Sequence, residues 1–338
     1  MTTTAPASGR ELLPDQPKPQ QTRDPTFLNY SLASAATYAK YRSNEYPHTL
    51  IDKVINNHVA NGKGQLGTLV DVGCGPGIAT RQVGTHFDHV FGLDPGVSMI
   101  EIATSLGGTT RTGEQIKVAV ASAEEIDVKL KELGVEEGTV DLITAATAAH
   151  WFDLPKFYAA ASRMLRSGGS IAFWATGNWK VAGAQIPNVD QVQQILDFFI
   201  QDVLGPYELP GNRLCNELYA SIDLPWTCGV PGFDEKSFYR KIWNGDGQCG
   251  PELPNGLLRP RAVTWEQLGH MIGTFSMVTR WREANQEAVQ KGEVEDCIER
   301  LKRELMDAVH NGEKEGDEGW VGGLTGDMET TLLGWKKL

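Results

Sequence analysis

The run Leu69-Val70-Asp71-Val72-Gly73-Cys74-Gly75-Pro76-Gly77 constrains this chain most, because an apolar, strand-like segment ends in three alternate glycines and a helix-like segment begins at about Ile78. Glycine at this spacing belongs to a turn where a Cβ would block an approaching ligand or forbid the backbone dihedrals, and Asp71 adds a fixed charge at the strand end. A nucleotide-like cofactor is expected there, over Gly73, Gly75 and Gly77. A dinucleotide fingerprint needs its third glycine one place later, where Ile78 stands, so a nicotinamide-dependent oxidoreductase is the weaker reading.

Strand and helix patterns alternate onward from the glycine run: Thr68 to Val72, a helix from Ile78, Val90 to Leu93, a helix from Gly96, Ile116 to Val120, a helix over Ala123 to Leu133, Val140 to Ala145, a helix over Leu154 to Leu165, and Ser170 to Ala175. Short crossovers of this kind close only on a parallel sheet with helices on both faces. After Thr176 the alternation stops. A helix over Gln191 to Val203, a strand over Ser237 to Trp243, helices over Trp265 to Trp281 and Val294 to Val309, and a last strand over Glu329 to Trp335 follow. The expected fold is α/β, a Rossmann-like, seven-stranded, mostly parallel sheet with a helical cap built from C-terminal insertions. Residues 1–24, rich in Thr, Pro and Gln, read as a disordered tail, residues 25–176 as the cofactor-binding core with an N-terminal lid helix, and residues 177–338 as the substrate cap with the last two strands.

The net charge of −12 argues against partners made of phosphates, nucleic acid or an anionic membrane, and favours a small-molecule substrate. No apolar run reaches the roughly 18 residues of a membrane span, and the N-terminus lacks a basic-then-apolar leader pattern. Its five scattered cysteines form no Cys-x-x-Cys pair, so neither a disulfide framework nor a metal site is expected, and the reading is cytoplasmic.

Two further segments belong at the same sheet end as the glycine turn. Asp94 closes Val90-Phe91-Gly92-Leu93, 17 positions after Gly77, about one helix and one strand on; it reads either as a ligand to adjacent hydroxyls or as a cap for the helix that follows Pro95. Thr144 to Asp153 follows the fourth strand, its small residues admitting a flat ligand and His150-Trp151 bringing bulk into the site, with His150 otherwise a structural residue of a packed loop.

Gly-x-Gly-x-Gly with Asp71 and Asp94 resembles the class I S-adenosylmethionine-dependent methyltransferases. The likeness implies a glycine loop under the methionine half of S-adenosyl-L-methionine and Asp94 accepting from its ribose hydroxyls, in charge-assisted bonds roughly twice as strong as neutral ones. It further implies Pro95, Met99, Ser122, Ala123, Ala146 and Trp151 beside the cofactor. Tyr41-Arg42-Ser43-Asn44-Glu45-Tyr46-Pro47, Ala149-His150-Trp151-Phe152-Asp153, Leu204-Gly205-Pro206-Tyr207 with Pro210-Gly211-Asn212-Arg213-Leu214, and Val263-Thr264-Trp265 through Trp281 narrow the resemblance to the fungal trans-aconitate methyltransferases, which are carboxyl O-methyltransferases. This chain departs from them at Ser43, where Pro is frequent, and at Ser122, which replaces an acid common in related enzymes, leaving backbone near Ala123 to meet the adenine.

Methylation of a carboxylate of a small polycarboxylic or secondary-metabolite acid, giving an ester, suits such a site, because a carboxylate with a pKa near 4 is already a nucleophile at neutral pH. Its desolvation calls for cations, for which Arg213 and Arg280 are the candidates, either one otherwise being an ordinary surface charge. His150 then orients a carboxylate oxygen, whereas a phenol acceptor would require it as a general base. Trp151 either belongs to the core or faces the sulfonium cation, a contact worth about 0.5–2 kcal/mol. Tyr38 and Arg42 read either as residues of a lid helix, with Arg42 reaching the methionyl carboxylate, or as a helix face packed on the core. Methylation of a phenol or amine, and binding of S-adenosylmethionine without methyl transfer, remain the alternatives.

Overall fold

The computed structural model describes residues 25–42, 45–181, 186–243, 261–311 and 324–338; the tail at 1–24 and the acidic stretch at 313–319 lie outside the described residues. Helices α1 (Pro25–Leu28), α2 (Leu32–Tyr41) and α3 (His48–Val59) lead into β1 (Thr68–Val72). The alternation expected from the sequence follows: α4 (Ile78–Gly84), β2 (His89–Asp94), α5 (Val97–Leu106), β3 (Lys117–Val120), α6 (Ile126–Glu132), β4 (Val140–Ala146), α7 (Leu154–Met164) and β5 (Leu165–Val181). Beyond it come α8 (Val189–Phe198), α9 (Pro210–Asn216), β6 (Phe233–Trp243), β7 (Arg261–Val263), α10 (Trp265–Gly273), α11 (Ser276–Gln290), α12 (Cys297–His310) and β8 (Leu324–Lys337).

The sheet order is β3-β2-β1-β4-β5-β8-β6, with β1 to β5 parallel and β8 antiparallel to both β5 and β6. Among the described residues it has eight strands rather than seven, because β7 adds three residues along β8. So short a strand has no periodicity for a sequence to display. The single helix expected over Trp265 to Trp281 is two, interrupted at Thr274, whose hydroxyl donates to the Met271 carbonyl, and at Phe275, whose extended backbone starts α11. Apolar spacing runs on across this break, so hydrophobicity alone does not mark it.

Alternating strand residues build a core on each sheet face. Val70, Val72, Ile143, Phe173 and Trp335 pack against α6 and α7, while Leu69, Leu142, Trp174 and Leu332 pack against α3 and α4. Phe157, Tyr158, Phe173 and Trp335 meet in ring pairs 5.2–6.4 Å apart on the first face, each pair worth about 0.5–1.5 kcal/mol beyond burial. A further core joins α8, α10, α11 and α12 above the carboxyl ends of the strands.

Candidate functional site

β1 and β4 are parallel neighbours whose onward connections diverge, β1 toward β2 and β4 toward β5. Such a switch point opens a crevice outside the strands' carboxyl ends. Gly73, Gly75 and Gly77 all lie at positive φ, 66°, 53° and 80°. At Gly73 a Cβ would stand 2.5 Å from the Ala148 methyl, so the turn after β1 and the loop after β4 touch only because that side chain is absent. Thr147, at φ 51°, holds the other loop in a strained conformation fixed by its N–H to the Trp174 carbonyl at 2.7 Å.

The crevice between these loops encloses about 150 Å³. Gly73, Gly75, Asp94, Pro95 and Met99 line it from the side of β1 and β2, Ser122 and Ala123 from the end of β3, and Ala146 and Trp151 from the loop after β4. Tyr38 and Arg42 close it from α2. Of the residues expected here, Gly77 does not line the crevice: it is the left-handed cap at the start of α4. Asp71 does not line it either, being fully buried beneath the turn. Its Oδ2 accepts from the Thr80 hydroxyl at 2.6 Å and its Oδ1 from that of Thr144 at 2.7 Å. Register places Thr144 beside it on β4.

Asp94 is also buried, but at the crevice wall. Its Oδ2 accepts from the Gly75 N–H at 2.9 Å and its Oδ1 from the Gly96 N–H at 2.8 Å, so it ties the glycine turn to the start of α5. Burial pushes its carboxyl up to about 6 against those two bonds, which favour the ionised form. Asp71 is pushed up to about 6 as well, by burial first, with its two hydroxyl bonds opposing and the Asp94 charge adding. A carboxyl whose folded pKa exceeds its unfolded value stabilises the fold below the unfolded value, a contribution lost as pH rises through the folded one. Asp71→Asn is therefore expected to gain thermal stability relative to the parent as pH rises through about 6. A midpoint difference that does not change between about pH 5 and 7.5 would show that Asp71 does not titrate there.

A second cavity, of about 110 Å³, adjoins the first and shares Phe27, Tyr38, Arg42, Thr147 and Trp151 with it. His150 lines this second cavity only. Its ring is buried, with Nδ1 2.9 Å from the Tyr219 hydroxyl. Burial raises the Tyr219 phenol well above its ordinary value, keeping its proton on, while the backbone N–H groups of His150 and Ala149 favour the opposite. Trp151 stands at the junction because Gly211 on α9 has no side chain: a Cβ there would lie 2.4 Å from the indole.

Arg213 and Arg280 line neither cavity. The Arg213 side chain is 67% exposed and pairs with Glu208 at 3.2 Å. Arg280 donates to the Tyr207 carbonyl, the Thr26 hydroxyl and Asn212 Oδ1, so its fork is taken up by the scaffold. What reaches the second cavity is asparagine. Arg280 orients the Asn212 amide, and Glu208, held by Arg213, accepts from the Asn216 amide at 3.3 Å. Arg42 is the arginine on both linings, its guanidinium lying 5.0 Å from the Phe275 ring centre and 5.6 Å from that of Tyr38. Tyr41 stacks on His270 of α10 at 4.1 Å, joining α2 to the cap. Among the described residues no cluster of three or more metal-ligating side chains occurs, and no helix is long and apolar enough to cross a membrane.

The crevice fits a sulfonium-bearing nucleoside: a side-chain-free floor, a carboxylate at the end of the second strand and aromatic rings at its mouth. Comparisons with known proteins agree. Residues 70–173 match the model of a methyltransferase domain. The probable S-adenosylmethionine-dependent methyltransferase CRG1 of Saccharomyces cerevisiae is 33% identical over 149 residues, 44% of this chain and 47% of that protein. A putative methyltransferase of Dictyostelium discoideum is 31% identical over 154 residues, 45% of this chain and 51% of that one. The matches thus span about half the length of these curated relatives. The structure of a putative type II methyltransferase from Anaeromyxobacter dehalogenans superposes with a TM-score of 0.56 over 87% of this chain and 97% of that one at 20% identity, a likeness of fold.

Proposed function

We propose, from the premise that this chain belongs to the class I S-adenosylmethionine-dependent methyltransferases, that it methylates a carboxylate of a small organic acid seated in the second cavity. S-adenosyl-L-methionine supplies an activated methyl group on a sulfonium centre. The chain's own residues then have three tasks. Asp94 holds the ribose hydroxyls over the turn of Gly73 and Gly75, while Pro95, Met99, Ser122, Ala123 and Ala146 flank the nucleoside and Asp71 keeps the turn in place from below. Tyr38 and Arg42 close the site from α2, and Arg42, common to both linings, sets a positive charge at the junction. Trp151 offers a ring face there, worth about 0.5–2 kcal/mol to a cation.

The observation that carries the choice of acceptor is the buried ring of His150 on the second cavity, its Nδ1 beside the Tyr219 hydroxyl. Burial keeps the proton on Tyr219, and where that proton is given to Nδ1 at 2.9 Å an uncharged ring carries its hydrogen on Nε2. A ring presented as a donor orients a carboxylate oxygen. It is not set up to take a proton from a phenol or an amine. Alignment is then the main demand, and holding two reactants in line can contribute up to roughly 7–11 kcal/mol. Cys74, Cys215 and Cys297 are free thiols, which supports a cytoplasmic setting.

The test is product chemistry. With tritiated methyl donor and small carboxylic acids, the label should enter an ester and return as methanol in mild base. Label in a base-stable ether or methylamine, or none in any product, would overturn the carboxylate assignment.

A further inference from the structure

The second cavity is asymmetric in charge. Arg42 and His150 lie where it meets the cofactor crevice or beside that junction, whereas Asp197 on α8 lines the second cavity alone. The orientation of Asp197 is set from behind. Gln193, one turn earlier, accepts the Val181 N–H on Oε1 at 2.8 Å, which turns its amide nitrogen to donate to Asp197 Oδ1 at 2.9 Å. Among the described residues Oδ2 has no hydrogen-bond partner. Asn216 on α9 is set in the same sense: its nitrogen donates to Glu208, itself held by Arg213, and its Oδ1 is left over. Beside them, Glu329 Oε2 and the Asn216 carbonyl each lie 3.4 Å from where a Cβ on Gly177 would stand, and burial pushes the Glu329 carboxyl up, with Lys180 opposing and the Asp197 charge adding.

Two oriented oxygens that carry no hydrogen, backed by a second carboxylate, attract a donor and repel an anion. Resting on the carboxyl-methylation reading above, we propose that the acceptor is a small acid with a single carboxylate and, away from it, a hydrogen-bond donor, an ammonium or a hydroxyl group, that docks on Asp197 and Asn216. A second carboxylate at that place would face Asp197 with no cation among the lining residues beside it. Arg213 and Glu208 then act on specificity through Asn216 without touching the acceptor.

Four matched five-carbon acids test this: pentanoate, 5-hydroxypentanoate, 5-aminopentanoate and glutarate, each offered to the full chain with tritiated methyl donor and read as base-labile methanol. The hydroxy and amino acids should exceed glutarate in kcat/KM by about tenfold or more, the effect of one charge-assisted bond. Asp197→Asn should erase most of that advantage, more for the ammonium than for the hydroxyl, and raise glutarate. Asn216→Leu should depress both donor-bearing acids and spare pentanoate. Unaltered cofactor affinity in both variants certifies their folding. Preference for glutarate, selectivity unchanged in Asp197→Asn, or no ester from any of the four overturns the inference. An ester formed from pentanoate or glutarate alone does so while leaving carboxyl methylation standing, and base-stable label removes both.

Discussion

Alanine in place of Asp94 should weaken S-adenosylmethionine binding about 100-fold or more while the chain stays folded. Each carboxylate oxygen already accepts one backbone N–H, from Gly75 or Gly96, and keeps acceptor capacity toward the crevice. Two adjacent ribose hydroxyls fit that capacity, and each bond to a charged group contributes about 1.5–3 kcal/mol, so losing both costs at least two decades of affinity. The same site predicts a pH dependence. Burial holds the Asp94 carboxyl at about 6, and a protonated carboxyl has fewer lone pairs for two donors. The cofactor therefore competes with the proton, and its affinity should fall as pH drops below about 6, by up to about tenfold per unit. Calorimetry from about pH 5 to 8 on the parent, Asp94→Asn and Asp94→Ala reads both effects. Alanine should be weak and flat with pH, asparagine intermediate and flat. Parent-like affinity in the alanine variant would remove Asp94 from the ribose.

How far the sequence reaches depends on whether a property is local. The glycine run, the alternation that demands a parallel sheet, and Asp94 at the end of β2 are each written in a few consecutive residues, because φ > 0 and period-two burial are demands of the chain on itself. The arginines are the opposite case. Arg280 meets Tyr207, Thr26 and Asn212, up to 254 positions away, and nothing near it in sequence says that its fork is already occupied. The sequence points to a cation for a buried carboxylate; that both arginines are instead engaged by Glu208 and Asn212, and that Asn212 and Asn216 line the second cavity, depends on contacts it does not display. Phe27, shared by both linings, follows directly on the segment read as a featureless tail and has no periodic neighbours to mark it. Asp71 is instructive in another way, since a carboxylate at a strand end reads as a ligand until pairing with β4 places the Thr144 hydroxyl beside it.

Removing the His150 ring should lower turnover about 100-fold with cofactor affinity unchanged, the usual cost of losing about an ångström of alignment between reactants. His150→Ala measures that loss, but alanine deletes donor and base alike. Glutamine separates them, because its amide donates a hydrogen bond and cannot take a proton. If the ring works as an Nε2 donor, His150→Gln should recover about tenfold over alanine, and the parent's rate should stay level from about pH 6 to 9, because the acceptor is ionised throughout. Tyr219→Phe extends the contrast. It deletes the hydroxyl 2.9 Å from Nδ1 and so frees the ring to exchange tautomers. Half-populated in the wrong form and less firmly held, the ring should lose several-fold in rate, again without change in cofactor affinity. A general base would behave otherwise: glutamine as inactive as alanine, and a parent rate climbing steeply through the ordinary histidine range near 6.5. That pair of results would transfer the acceptor from a carboxylate to a group that must be deprotonated before it can attack.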